Sequence, residues 1–290
     1  KGYSLDSALH SIPDCQRIVK KAVVERLGHA YGLSWFEETG AKYQIQFSIM
    51  RDTAEVFLDT SGLGLHKRGY RANSNAAPLR ETLAAAMVKL ARWRGREPLL
   101  DPFCGSGTIA IEAAMIAQRR APGLLRSFEA EKWGCLDADA WRLAREAAID
   151  LTDGGARFSI VGSDIDPACV QLSMENARKA GVAGTVFFEQ VDAVQHDYSG
   201  EGVVFANPPY GERLLDVQQA EALYRAFGRA TGKSPMKQYI LSSDPLFERC
   251  YSRPADKRRK LYNGMIKCEL HMYYKHSMHS SAKKRENGSK

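Results

Sequence analysis

The chain has 290 residues, 44% of them hydrophobic, and a net charge of +7, a length that suits more than one typical domain and is short for three. No apolar stretch is long enough to span a membrane as a helix and no signal peptide is visible, which argues against a helical membrane protein. The six cysteines (Cys15, Cys104, Cys135, Cys169, Cys250, Cys268) are scattered with no Cys-x-x-Cys pair, which argues against a disulfide framework or a bound metal and for a reducing cytoplasm.

Residues 1–60 read as a small α+β piece. Pro13 suits a first helical turn, and Cys15, Ile18, Val19, Ala22, Val23 and Leu27 then follow helical spacing. Tyr43, Ile45, Phe47 and Ile49 alternate as a half-buried strand, and Val56 and Leu58 mark a second strand over 54–60 that would pair with it. One helix and two strands make a thin core, and the chain starts at Lys1 without an initiator Met, so this piece is expected to be the back part of a larger domain. Residues 61–77 (SGLGLHKRGYRANSNAA) are rich in glycine, basic and small residues and read as a linker. From Pro78 the pattern changes. A helix over 78–92 leads to a strand ending at Asp101, and helices then alternate with short apolar strands at 159–163, 185–189, 203–206 and 238–242. That alternation predicts a mostly parallel sheet covered on both faces. Asn263-Gly264 between two strand-like runs predicts a closing antiparallel hairpin, with Ile266, Cys268, Leu270, Met272 and Tyr274 alternating along its second arm. The 78–276 stretch is therefore one α/β domain, and the polar, charged tail at 277–290 is expected to be disordered.

A pI near 9.0 is compatible with a polyanionic partner. Lys67, Arg68 and Arg71 share one loop, Arg92, Arg94 and Arg96 crowd a helix end, and Arg253, Lys257, Arg258, Arg259 and Lys260 form the densest run. Any one of these clusters serves equally well as a solvated surface.

Leu99-Leu100-Asp101-Pro102-Phe103-Cys104-Gly105-Ser106-Gly107-Thr108-Ile109-Ala110 reads as a strand, a glycine turn and a helix start. Gly105, Gly107 and Ala110 match G-x-G-x-x-A, and no Gly-Lys-Ser/Thr follows, which excludes a Walker A loop. Asp101 discriminates further. A carboxylate there would repel a pyrophosphate and suits a ligand with a cationic amine, as in S-adenosylmethionine. The next strand ends at Asp164-Ile165-Asp166-Pro167, where Asp166 is the better helix cap and Asp164 is left for ribose hydroxyls. The third ends at Gln190-Val191-Asp192-Ala193, where Asp192 could accept from an adenine amine. The fourth, Val203-Val204-Phe205-Ala206, stops at Asn207-Pro208-Pro209-Tyr210. Two prolines cannot continue a sheet but hold a turn rigid. The Asn207 side-chain oxygen and the Pro208 carbonyl can accept from one N–H₂ group, and Tyr210 offers a stacking face. The set suits a planar, conjugated amine held in line with a sulfonium methyl.

The pair DPFCGSGT and NPPY resembles class I S-adenosylmethionine-dependent amino-methyltransferases. Similar NPPY motifs occur in adenine-N6 DNA, protein-glutamine and guanine-N2 RNA enzymes. Other stretches resemble the bacterial THUMP-domain RNA guanine-N2 methyltransferases that act on large-subunit ribosomal RNA: Leu65–Arg71 with Ala77–Ala84, Ala121–Leu124 through Phe128 to Lys132-Trp133, Asn207–Arg213, and Arg259–Gly264. This likeness covers roughly residues 1–275. It implies a doubly wound, seven-stranded Rossmann-like α/β sheet with an antiparallel C-terminal hairpin, preceded by a partial THUMP domain over 1–60 whose front segment is absent. The cofactor site would take in Asp101, Cys104, Gly105, Gly107, Thr108, Asp164, Ile165, Asp192, Ala193 and Asn207. Asn207, Pro208, Pro209 and Tyr210 would hold the target base, while Lys67, Arg68, Arg71 and Arg213 would meet RNA phosphate.

The expected activity is methylation of guanine N2 in RNA, with ribosomal RNA ahead of transfer RNA. The alternatives are an adenine-N6 DNA methyltransferase, a protein-glutamine methyltransferase and a non-catalytic RNA-binding protein that retains the cofactor pocket. A nicotinamide oxidoreductase is disfavoured by Asp101. Oligomeric state is not legible.

Overall fold

The computed structural model describes residues 1–71, 79–155, 158–209 and 217–274. Tyr210 and Arg213, residues 72–77 of the linker, and the tail at 277–290 lie outside the described residues. The chain packs as two compact units. One comprises Lys1–Leu65 with Ser127–Ala144, the other His66–Arg126 with Arg145–Lys290.

In the first unit, β1 (Gly2–Leu5), β2 (Gln44–Met50) and β3 (Thr53–Asp59) form a sheet in that order. Helix α1 (Ile12–Tyr31) has Pro13 in its first turn, where a missing N–H leaves no bond unmade. It packs through Cys15 on Phe47 and Ile49, with Ile12 and Val19 beside them. The sequence reading expects two strands here, not three. β1 is only four residues long and pairs parallel to β2, Gly2 opposite Phe47. So short a run carries too little periodicity to be read alone, and its partner lies some forty residues away along the chain. Residues 127–144 also belong to this unit. Trp133 donates from Nε1 to the Lys42 carbonyl at 3.0 Å and stacks on Tyr43 at a centroid distance of 4.7 Å. Ala130 N–H donates to the Thr60 carbonyl.

The second unit holds α2 (Glu81–Leu90), β4 (Leu99–Asp101), α3 (Thr108–Ala117), the end of α4 (Ala138–Asp150), β5 (Ile160–Asp164), α5 (Pro167–Ala180), β6 (Val186–Gln190), β7 (Val203–Ala206), α6 (Val217–Thr231), β8 (Lys237–Ser242), α7 (Phe247–Tyr251), β9 (Lys257–Asn263) and β10 (Ile266–Tyr273). Its seven strands run in the order β6-β5-β4-β7-β8-β10-β9. The first five in that order are parallel, and β10 is antiparallel to both β8 and β9. Successive strand residues face opposite cores. Leu99 lies in a cluster with Met87, Ile111 and Ala177, whereas Leu100 lies in one with Tyr224, Phe227 and Phe247. Both faces are therefore covered, which is why these strands read as continuous apolar runs.

The closing hairpin forms one residue later than expected. Ile266 pairs with Asn263, so the loop is Gly264-Met265 rather than Asn263-Gly264. Gly264 has φ +69° and Met265 has no positive φ, as a type II′ turn requires. Asn263 is instead the last strand residue, and its Oδ1 accepts from the Arg80 N–H at 3.2 Å, just ahead of α2.

Candidate functional site

β4 pairs with β5 on one side and β7 on the other. The strand order reverses there, the place where doubly wound sheets form a ligand crevice at the carboxyl ends of their strands. Asp101 ends β4, Asp164 ends β5, Asp192 follows β6 and Asn207 follows β7. The topology thus brings these four predicted residues to one rim.

The glycine loop is tied down atom by atom. Cys104 N–H donates to Ser163 O at 2.9 Å, Gly107 N–H to Cys104 O at 2.7 Å and Gly105 N–H to Asp164 Oδ2 at 3.0 Å. Ser173 Oγ donates to Gly105 O at 2.9 Å, and Asn176 Nδ2 to Ser106 O at 3.0 Å, both from α5. Gly107 has φ +78°, and a Cβ there would lie 3.0 Å from the Phe188 ring and 3.1 Å from Ser173. A glycine is required on both counts. The side chains of Cys104 and Thr108 turn into the protein, Cys104 toward Ser173 and Thr108 toward Ser106 and Arg71, so these two can offer a ligand only backbone.

Asp166 caps α5, its Oδ1 accepting from Ala168 N–H at 2.9 Å, as the sequence suggests. Asp164 Oδ1 also accepts from Asp166 N–H, so that carboxylate braces the loop while staying half-buried at the rim. Ile165 beside it is an apolar residue 66% exposed. Asp192 Oδ1 accepts from Val194 N–H at 3.0 Å, and the buried Ala193 gives its carbonyl to Tyr198 Oη.

Two buried oxygens at the strand ends remain without a partner, as does Asn176 Oδ1 on α5. Asp101 is fully buried, and only its Oδ1 has a donor, the Phe103 N–H at 3.4 Å; its Oδ2 has none. Burial pushes its carboxyl up to about 8; the Phe103 N–H opposes this and the Asp164 charge adds to it. On the adjacent strand, Asn207 Oδ1 is buried and also unpartnered. Each such atom costs about 1–3 kcal/mol, and the two lie on neighbouring strands at the crevice. Their common need is a hydrogen-bond donor, cationic at Asp101 and neutral at Asn207. That fits a charged amine of one ligand at Asp101 beside a planar, conjugated amine of a second group at Asn207.

The basic loop is corrected. Arg68 pairs with Glu112 at 3.2 Å, with the two side chains 11% and 2% exposed. Arg71 pairs with Glu81 at 2.9 Å and donates to Leu79 O and Thr108 Oγ1. These guanidiniums pair with buried carboxylates, and Arg71 also braces the start of α3. Burial of an acid demands a partner, and sequence gives no hint of which acids are buried. Lys67 stays exposed.

Sequence reasoning missed Tyr224. From α6 its hydroxyl donates to the Pro209 carbonyl at 2.9 Å and pins the turn after Asn207. It also missed Ser173 and Asn176, which brace the loop. Helical periodicity marks all three as inward-facing and nothing more. Among the described residues there is no group of acidic, His or Cys residues able to hold a metal, and no helix is long and apolar enough to cross a membrane.

Residues 68–272 match the family described as UPF0020, RMKL-like, methyltransferase domain, and residues 2–59 match the THUMP domain. The chain is 45% identical over 290 residues to YpsC of Bacillus subtilis (strain 168), named as a candidate RNA methyltransferase, covering 99% of this chain and 75% of that protein. It is 41% identical over 245 residues to the ribosomal RNA large subunit methyltransferase K/L of Vibrio parahaemolyticus serotype O3:K6 (strain RIMD 2210633), covering 79% of this chain but only 34% of that protein. Among solved structures, a predicted N6-adenine-specific DNA methylase of Listeria monocytogenes str. 4b F2365 aligns with a TM-score of 0.85 at 43% identity, over 94% of this chain and 72% of that one. SMU.472, a candidate methyltransferase complexed with SAH, aligns with a TM-score of 0.83 at 39% identity, over 93% of this chain and 72% of that one.

Proposed function

The chain belongs to the UPF0020, RMKL-like methyltransferase family and carries a THUMP domain, and we propose that it transfers a methyl group to the exocyclic N2 of a guanine in RNA, ribosomal RNA ahead of transfer RNA. S-adenosylmethionine-dependent methylation of RNA follows from the family; the base atom and the RNA class are our reading. The observation that carries it is the pair of open acceptors, Asp101 Oδ2 and Asn207 Oδ1, on adjacent strands at the crevice.

In this reading Asp101 would take the cofactor's ammonium group, and the backbone of Cys104–Thr108 would flank its methionine part. Asp164 takes ribose hydroxyls, Ile165 and Ala193 flank the adenine, and Asp192 accepts from the adenine amine. S-adenosylmethionine would supply an electrophilic sulfonium methyl, its S–CH₃ bond breaking as the N–C bond forms and leaving the neutral thioether S-adenosylhomocysteine. Asn207 Oδ1 and the Pro208 carbonyl accept from the N–H₂ of the target base and hold its nitrogen toward that methyl. As the nitrogen gains a bond it becomes cationic, so both acceptors bind its hydrogens more tightly than in the ground state. That difference is what lowers the barrier. The extra proton then leaves to solvent, with no covalent enzyme intermediate. Tyr224 keeps the turn in place throughout, and Tyr210 would stack on the base. A paired guanine must first be turned out of its helix. Six free thiols suit the cytoplasm as the compartment.

The test uses the full chain with radiolabelled S-adenosylmethionine and, in parallel, unmodified ribosomal RNA, transfer RNA and duplex DNA. Products are digested to nucleosides. Label in N2-methylguanosine from RNA is the expected result and names the RNA class. Label in N6-methyladenine from DNA overturns it.

A further inference from the structure

α3 runs about 15 Å from the glycine loop at a rise of 1.5 Å per residue and delivers Gln118 and Arg120 to the opposite edge of the sheet. There they line a cavity of about 400 Å³ with Thr152, Gly154, Gly155, Gly181, Gly184 and Thr185. Gln118 is only 3% exposed; its Nε2 donates to Thr185 Oγ1 at 2.6 Å and its Oε1 has no partner. Arg120 Nε is also buried without a partner, and no carboxylate pairs with this guanidinium among the described residues. Exposed Arg119 and the last turn of α5, Arg178 and Lys179, add positive charge around it. Asp153 borders the lining and gives its backbone N–H to Gln118 O.

A half-turn of the Gln118 amide keeps its bond to Thr185, because a hydroxyl donates as readily as it accepts, and puts Nε2 at the position that lacks a partner. Two residues of one cavity lining, Gln118 and Arg120, then each hold a buried donor with no acceptor. We propose that this cavity seats a phosphate group, and that its occupant is a backbone phosphodiester of the RNA being methylated, held one helix-length from the methyl-transfer rim. The proposal rests on the RNA reading above. It places one of the substrate's anchoring contacts on the edge of the sheet away from the chemistry.

RNA affinity of the full chain is measured against salt concentration for wild type, Arg120→Gln and Gly184→Glu. Gly184 has no positive φ and a Cβ there meets nothing within 4 Å, so Gly184→Glu brings an acid to the lining without disturbing the fold. Losing one phosphate contact reduces the magnitude of the slope of log K against log salt by about 0.7 for a single strand. Both variants are expected to show that loss, with a Kd several-fold higher, while cofactor affinity and kcat at saturating RNA stay at wild-type values. Wild-type slopes in both variants, with RNA methylation intact, overturn the cavity's role alone. In that case Arg120 merely faces the carbonyl end of α5. Inorganic phosphate that raises the Tm of wild type but not of Arg120→Gln, beside unchanged RNA slopes, assigns the cavity to the free ion and also overturns it. Wild-type protein with no affinity for RNA overturns the functional reading and this proposal together.

Discussion

The glycine loop after β4 and the turn after β7 lie side by side on one rim, and they are built in different ways. The loop's backbone is held by several groups of neighbouring elements, Ser163 and Asp164 of β5 and Ser173 and Asn176 of α5. The turn is held by one hydroxyl, Tyr224 to Pro209, and leaves Asn207 Oδ1 buried with nothing to bind. Asp101 stands between them, with one oxygen supplied and one not. Several bonds from two neighbouring elements fix a cradle that must keep its shape around a cofactor. Open acceptors cost stability until a ligand donates to them, so they mark where binding and chemistry take place.

Four substitutions break that contrast, in descending order of expected effect. Arg71→Ala leaves Glu81 as a buried, unpaired charge behind the loop, and should cost about 3–5 kcal/mol of stability in denaturant unfolding. Wild-type stability would return Arg71 to the list of phosphate contacts. Asn207→Ala should reduce kcat by about 10²–10³-fold, on the scale of losing one oriented transition-state hydrogen bond, with the fold and cofactor affinity retained. Single-turnover rates and cofactor titration separate the two outcomes.

Asp101→Asn acts on both affinity and pH dependence. Losing a charged hydrogen bond to an ammonium should weaken cofactor binding by about 1.5–3 kcal/mol, read by calorimetry. The stability effect has the opposite sign. The folded carboxyl titrates at about 8, against about 3.9 in the unfolded chain. Between those values the native state binds more protons than the unfolded state, so this group's contribution falls as pH rises. Ligand-free Asp101→Asn should therefore match wild type near pH 4 and exceed it at pH 8. By the same linkage, wild type should release up to one proton on cofactor binding at pH 7, seen as a dependence of the binding enthalpy on buffer ionisation. The smallest effect is Tyr224→Phe. Removal of one neutral hydrogen bond, about 1 kcal/mol, should lower kcat about fivefold with cofactor affinity unchanged. An equal drop in cofactor affinity would show that Tyr224 supports the whole rim instead of the turn alone.

The rim was legible because each strand end there breaks a local rule: an acid after Leu99-Leu100, a lone Asp ahead of Asp166-Pro167, an Asn before two prolines. Local departures of that kind mark sites. The braces were not legible. Tyr224, Ser173 and Asn176 sit on ordinary inward helix faces, and only the packing of α5 and α6 on the sheet shows which backbone atoms they meet. The basic loop misled for a related reason. Lys67, Arg68 and Arg71 look alike in a charge count, but Glu112 and Glu81, each 2% exposed, claim the two arginines.

By itself, then, the sequence determined the alternation of helix and strand, the parallel sheet with its antiparallel end, and the four rim residues, because hydrophobic period and turn chemistry act over a few neighbouring positions. The tertiary structure alone decided that β1 joins the small sheet, that residues 127–144 pack with the first unit, which arginines are buried, and that Gln118 and Arg120 share a cavity. Those outcomes depend on which distant groups meet and on which charges lose water when they do. No window of sequence contains that information.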